Sequence, residues 1–370
     1  MQQFDLKSSF TNRDSVVTRN IKNWQFVYSR RFPFYDEDGI VEYYGDGYCW
    51  HGTAGADFSF RDSEHREKIA QSINAFNKGF SKIKITHHMF GEGNMLGNYF
   101  VVEGVHDDFY CDVAPTGNFV KFSCVAIACF SDEGKILEER ELWDEVTLLR
   151  QINFIPNDGS FFMTGVFNDY EGNTLPPVYP SPALPQIGDM FCKRNSIDMK
   201  IRSEIVSRNI ANWREFTAKK YTNQDFENIE EVMAPDYLYF GTGGARFDMS
   251  DLTQRREMFD EFKQYMKEME AVSFPSQLFG EGNIVLYLVI PDFIQTGSTL
   301  GVPPTGREIR FFNISIGYFD NEGRIKSEFE AHDFLANYKQ MGIIPSGLEN
   351  ISLLSVLRSM GYSPVNKGFS

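Results

Sequence analysis

Residues Ala114–Pro156 read APTGNFVKFSCVAIACFSDEGKILEERELWDEVTLLRQINFIP, and the pattern returns at Pro303–Pro345 as PPTGREIRFFNISIGYFDNEGRIKSEFEAHDFLANYKQMGIIP. The offset is 189 residues throughout. Pro115-Thr116-Gly117 falls on Pro304-Thr305-Gly306, Gly134 on Gly323, Asp144 on Asp333 and Gln151 on Gln340. The same offset holds upstream, where Trp24 falls on Trp213 and Phe90-Gly91-Glu92-Gly93-Asn94 on Phe279-Gly280-Glu281-Gly282-Asn283. A repeat this long exceeds a solenoid unit of roughly 20–50 residues and has the size of a small domain. The chain therefore reads as two copies of one domain, at 12–156 and 196–345. A Pro- and aromatic-rich linker at 157–195 joins them, and a helical tail occupies 346–370.

Within each copy the periodicity predicts helices first and strands after. Val17, Ile21, Trp24 and Tyr28 mark a helix over 12–29, and Ile69, Ile73, Phe76 and Phe80 one over 63–79. Arg31–Gly47 reads as an aromatic-bearing loop, with a short strand at Tyr48–His51. Ile83–Phe90 and Met95–His106 flank a Gly-Glu-Gly-Asn turn, a hairpin signal, and Phe119–Phe130 and Lys135–Asp144 flank another. The second copy repeats the plan, with helices expected over 196–219, 225–233 and 250–269 and a strand at Tyr237–Phe240. Helices followed by antiparallel strands give an α+β class, a curved sheet with helices on one face.

Composition narrows the partners. A net charge of −15 disfavours nucleic acid and anionic membrane surfaces, which call for clustered Lys and Arg. No apolar run reaches the roughly 18–20 residues of a membrane span, and the first residues lack the apolar core of a signal peptide. A cytoplasmic protein is expected. The five Cys form no Cys-x-x-Cys pair and read as buried thiols. Thirty-five Phe imply apolar interiors or pockets.

The string Pro115-Thr116-Gly117, strand, Gly134-Lys135-Ile136, Glu138-Glu139, then Asp144 through Gln151 resembles the SnoaL-like polyketide cyclases of the nuclear transport factor 2-like superfamily. The resemblance covers most of both copies. It implies two tandem cone-shaped α+β barrels, each a curved antiparallel sheet closed by helices around an apolar pocket. It also implies that the two sheets pack as an intramolecular pseudo-dimer; homo-oligomerisation stays open. In such cyclases an Asp near the end of the last strand is the acid/base of an intramolecular aldol closure. That position is Asp144 here and Asp333 in the second copy. The resemblance matches first-strand and pre-PTG histidines to His51 and His106. The second copy departs at both, with Phe240 and Gln295, which implies a degenerate pocket there. Arg140 stands where an aromatic is usual.

Strand alternation puts Glu138, Arg140, Leu142 and Asp144 on one face of the last strand. If that face looks into the cone, Asp144 removes a proton next to a ligand carbonyl and His51 or His106 donates to the developing oxyanion. Trp50, His88, Arg140, Leu142 and Asp333 complete the expected ligand contacts. Each of these residues also has a structural reading: an Asp at a strand end as a helix cap, His51 as a core residue, His106 as a loop residue. His87 and His88 point to opposite faces and cannot share a metal. No metal spacing, dinucleotide fingerprint or phosphate loop is present, so no cofactor is expected. Three functions stay open: acid/base cyclisation or isomerisation of a hydrophobic carbonyl compound, non-catalytic binding of a hydrophobic small molecule, or a scaffold with both cones filled.

Overall fold

The computed structural model describes residues 13–154 and 202–342, apart from 54–55, 60–62, 111–112, 224, 226–227, 245, 249, 252, 255–258, 261–266, 268, 274–275 and 298–303. The expected linker, tail and most of the helix expected over 250–269 lie outside these residues. The first copy opens with α1 (Ser15–Arg31). Asp14 caps it, accepting from the Val16 N–H at 2.6 Å, and Arg30 and Arg31 close it, where cations offset the helix dipole. A short α2 (Glu37–Ile40) leads into β1 (Tyr44–Gly52), so the expected loop carries a helical turn and the start of the strand. Then come β2 (Ala56–Ser59), α3 (Ser63–Gly79), β3 (Phe80–Glu92), β4 (Met95–His106), β5 (Phe119–Phe130), β6 (Ile136–Trp143) and α4 (Glu145–Gln151).

The strands form one six-stranded sheet ordered β2-β1-β6-β5-β4-β3. Four of its five pairings are antiparallel; β1 and β6 run parallel. Edge strands β2 and β3 do not pair with one another among the described residues, so the sheet is a curved open cone rather than a closed barrel. The second copy has α5 (Glu204–Thr217), a π-helical turn at Ala218–Asn223, and strands β7 (Met233–Gly241) and β8 (Arg246–Asp248). The element expected over 225–233 is a 3-10 turn, Ile229–Val232. Strands β9 (Met269–Ser273), β10 (Ser276–Glu281), β11 (Ile284–Val289), β12 (Asp292–Gln295), β13 (Glu308–Arg310), β14 (Asn313–Phe319) and β15 (Ile325–His332) precede α6 (Phe334–Met341). Pro291 stands where β4 has Val102. It offers no N–H to the ladder, and the strand divides there into β11 and β12.

Each sheet buries two faces. On one, Leu96, Phe100, Val102, Phe122, Cys124, Ala126 and Phe130 pack under α1 and α3 with Trp24, Tyr28 and Phe76; this is the interior of the first cone. On the other, Tyr99, Val101, Val125, Ile127 and Leu142 meet Phe240, Leu286, Ile314, Ile316 and Phe329 of the second copy. The two sheets thus pack back to back along one apolar seam. Gly97 keeps the seam tight, since a Cβ there would lie 2.6 Å from Leu286.

The repeated Gly-Glu-Gly-Asn hairpins clamp its ends. Arg13 donates to Glu281 at 2.7 Å, and Glu281 also accepts from the Gly91 N–H at 2.8 Å. Reciprocally, Arg202 donates twice to Glu92, at 2.6 and 3.0 Å, and Glu92 accepts from the Gly280 N–H at 3.1 Å.

Candidate functional site

Helix α1 decides which face of β6 lies inside the cone. Its inward side chains Trp24, Tyr28 and Arg31 meet Glu139 and Glu141, so the interior face carries Glu139, Glu141 and Trp143. Glu138, Arg140 and Leu142 point the other way, into the seam. The face expected to line the pocket is therefore the outer one. Arg140 lies 5.4 Å over the Phe312 ring of the second copy and pairs with Glu138 at 2.9 Å. His51 pairs with the same Glu138 at 3.1 Å. Burial alone would raise Glu138, but His51 and Arg140 hold it below the usual carboxylate range. His88 also faces outward, its ring 6.0 Å from Tyr99. Of the expected ligand contacts on β1, Trp50 is the one packed against the cone interior.

Asp144 caps α4 rather than facing the cone. It accepts from the Thr147 N–H at 3.1 Å, the Thr147 hydroxyl at 2.5 Å and, across the seam, the Gly243 N–H at 2.7 Å. Burial raises its pKa, and these hydrogen bonds oppose the rise. Asp333 is the matching cap of α6, accepting from the Ala336 N–H at 3.1 Å. The repeated Gln is a clasp: Gln151 bonds both backbone groups of Lys121, and Gln340 both of Arg310.

His106 fastens the β4–β5 corner. Its Nδ1 lies 3.1 Å from the Thr116 hydroxyl and accepts from the Thr116 N–H at 3.3 Å. Gln295 does the same work in the second copy, taking a 2.5 Å bond from Thr305. The His106 ring lies over Phe80, and burial lowers its pKa. Its Nε2 is buried without a hydrogen-bond partner among the described residues. The shared residues thus explain the fold more than the chemistry.

The polar heart of the first cone is Glu139, Glu141 and Arg31, all buried. Arg31 grips Glu139 with bonds of 2.9 and 2.6 Å, and Trp24 and Tyr48 donate to the same carboxylate at 3.1 and 2.9 Å. Glu141 accepts from Tyr28 at 2.9 Å and from the Trp143 indole N–H, with Arg31 3.5 Å away. Burial and the neighbouring Glu139 charge push Glu141 up to about 7.

His87, not His88, is the histidine of β3 that faces inward, its ring 4.7 Å from Tyr28 and 5.6 Å from Phe100. Burial lowers it to about 4, so it is neutral at physiological pH. Asn98 lies 3.1 Å from Nδ1. With the amide donating, the imidazole carries its proton on Nε2. His106 lies eight residues further along β4 than Asn98, roughly 25 Å of strand at about 3.3 Å per residue. It does not share a layer with Glu141.

A signal for this site was present in the sequence. Glu139-x-Glu141 falls on Glu328-x-Glu330, and a cation at Arg31 falls on one at Lys220, at the same 189 offset.

The SnoaL-like polyketide cyclase profile matches residues 40–152 and again 211–341, about two thirds of the chain. The chain belongs to the SnoaL-like polyketide cyclase family. No curated protein matches the sequence. Among solved structures, a protein provisionally named a SnoaL-like polyketide cyclase, from Jannaschia sp. CCS1, is 17% identical over 40% of this chain and 99% of its own, with a TM-score of 0.34. IdmH from Streptomyces antibioticus, provisionally a polyketide cyclase, is 20% identical over 36% and 97%, with a TM-score of 0.31. An LEH-like epoxide hydrolase from M. tuberculosis is 15% identical over 42% and 96%, with a TM-score of 0.27. In this SnoaL-like chain no described helix is long and apolar enough to cross a membrane.

Proposed function

We propose that the first cone performs cofactor-independent acid/base chemistry on a hydrophobic carbonyl compound, opening an aldol cyclisation or an isomerisation, with Glu141 as the proton carrier. The observation that supports it is a buried carboxyl held near neutrality beside a second, ion-paired one. A base works best with its pKa near the working pH. Ionised Glu141 takes a proton from the carbon next to the carbonyl. His87, neutral and protonated on Nε2, donates to the oxyanion that forms. Glu141 then returns the proton to the product carbon. Phe100, Phe122, Phe76 and Trp143 supply the apolar wall, which suits an aromatic or polycyclic ligand and keeps the carboxyl desolvated.

The test is hydrogen–deuterium exchange at the α-carbon of a bicyclic ketone, 1-tetralone, followed by proton NMR in D2O. The wild-type rate is expected to climb through about pH 7, as Glu141 ionises. Glu141→Gln is expected to lower it roughly 10²–10⁴-fold, the usual worth of a positioned base. An undiminished rate in a folded Glu141→Gln variant removes Glu141 from the chemistry, and a wild-type rate no higher than buffer leaves a binding protein instead.

A further inference from the structure

The second cone departs from the expected degenerate pocket. It holds a buried carboxylate pair of its own, Glu328 and Glu330, with the buried cation Lys220. Lys220 lies 2.9 Å from Glu330 and 3.5 Å from Glu328. Tyr237 donates to Glu328, and Tyr239 donates to Glu330 at 2.9 Å. The arrangement is not a copy of the first. There the cation grips Glu139, and Glu141 is the carboxyl of raised pKa. In the second cone the cation sits nearer Glu330, the counterpart of Glu141, and burial pushes Glu328 up to about 7. The proton-carrying position has moved by one pleat repeat, roughly 7 Å along the strand.

The walls differ as well. Asn313 and Ser315 on β14 stand where the first cone has Cys124 and Ala126, and His332 stands where it has Trp143. Asn313 and Ser315 are buried. The Asn313 amide donates to Glu330 at 2.9 Å and lies 3.1 Å from His332 Nδ1, so it sits inside the polar cluster. Its Oδ1 is buried with no hydrogen-bond partner among the described residues. The indole N–H of Trp213, fully buried in the same cone, has none among the described residues either, whereas the matching Trp24 donates to Glu139. Buried polar atoms are costly to leave unbonded. Among the described residues the second cone thus buries an acceptor and a donor that a ligand hydroxyl would complement.

We propose that the second cone is a separate acid/base site for a hydroxylated carbonyl compound, with Glu328 as the proton carrier and Asn313 accepting from the ligand hydroxyl. Ionised Glu328 takes the proton from the carbon next to the carbonyl. The C–H pair becomes the enolate double bond, and the carbonyl π pair moves to oxygen. In D2O the carboxyl exchanges its proton with solvent and returns a deuteron to the same carbon, so the step needs no co-reactant. The Lys220 ammonium offsets the negative charge gathered there.

The full chain is tested with two probes, hydroxyacetone and 1-tetralone, by α-carbon exchange in D2O. Glu328→Gln is expected to lower hydroxyacetone exchange roughly a hundredfold and to leave tetralone exchange alone. Asn313→Ala is expected to raise the KM for hydroxyacetone while a urea melt still shows a folded chain; it carries the test if Glu328→Gln does not fold. Three results overturn the proposal: no hydroxyacetone exchange above buffer by the wild type, exchange insensitive to both variants, or exchange lost with Glu141→Gln instead. The last would assign both probes to the first cone. Absence of tetralone exchange in the wild type, with hydroxyacetone exchange present, sinks the reading of the first cone and leaves this one standing.

Discussion

Two carboxylates near one strand end have opposite fates, decided by what surrounds each. Glu141 is enclosed between Tyr28, Trp143 and an ion-paired neighbour, and its proton affinity rises into the working range. Asp144 lies three residues on, where the strand gives way to α4, and its oxygens take up the Thr147 N–H and hydroxyl of that helix and the Gly243 N–H across the seam. Asp144→Ala is therefore expected to leave ketone exchange unchanged and to lower stability by about 1–3 kcal/mol, a lost cap plus an unpaired buried N–H. A urea midpoint and an exchange rate on one preparation check both halves; lost exchange in a folded variant would return Asp144 to the chemistry. The Asp was legible in the sequence because it repeats, but repetition at Asp333 reports a cap that both copies require. His51 and His106, which do not repeat, were legible only through the family resemblance, and the structure spends one on the seam and the other on the β4–β5 corner. Glu139 and Glu141 were in view too. Alternation alone could not say which face of β6 the helix covers; only the approach of Trp24, Tyr28 and Arg31 fixes that.

At the level of elements, the fold was more readable than the site. Helical spacing located α1, and the Gly-Glu-Gly-Asn turns located the β3–β4 and β10–β11 hairpins. Their Glu, however, does not serve the turn: Glu92 and Glu281 reach across to the opposite copy. Nothing in one copy's local pattern shows this, because the partners Arg202 and Arg13 lie 110 and 268 residues away. The parallel β1–β6 pair was hidden similarly, since a crossing of the whole copy separates the two strands. Glu92→Ala removes both bonds to Arg202 and the acceptor of the Gly280 N–H, leaving a largely buried guanidinium without its carboxylate. A cost of about 2–4 kcal/mol is expected, more than an exposed pair would give. Chemical denaturation checks it, and Arg202→Met combined with Glu92→Ala should cost less than the two single changes added together. A cost below about 0.5 kcal/mol for Glu92→Ala would mean that the clamps only decorate a seam held by apolar contact.

At the level of the molecule, two cones stand back to back on one seam, and each encloses a carboxyl that holds its proton more tightly folded than unfolded. Glu141 and Glu328 both move from an ordinary 4.5 to about 7. Their contribution to stability is complete below pH 4.5 and is lost as pH climbs through 7, because the folded chain must then bury the charged form. His87 works in the opposite sense. Lowered from 6.5 to about 4, it contributes fully above pH 6.5 and loses that contribution as pH falls through 4. The two effects oppose one another on the acid side, but above pH 6.5 the carboxyls act alone. The melting temperature is therefore expected to fall between pH 6.5 and about pH 8. Gln reproduces the neutral carboxyl in shape and cannot ionise, so Glu141→Gln with Glu328→Gln should flatten that fall and leave the acid limb in place. Melting curves of wild type and double variant across this range decide it. Equal slopes would show that neither carboxyl changes charge inside its cone, and would remove the electrostatic basis of both proposed sites at once.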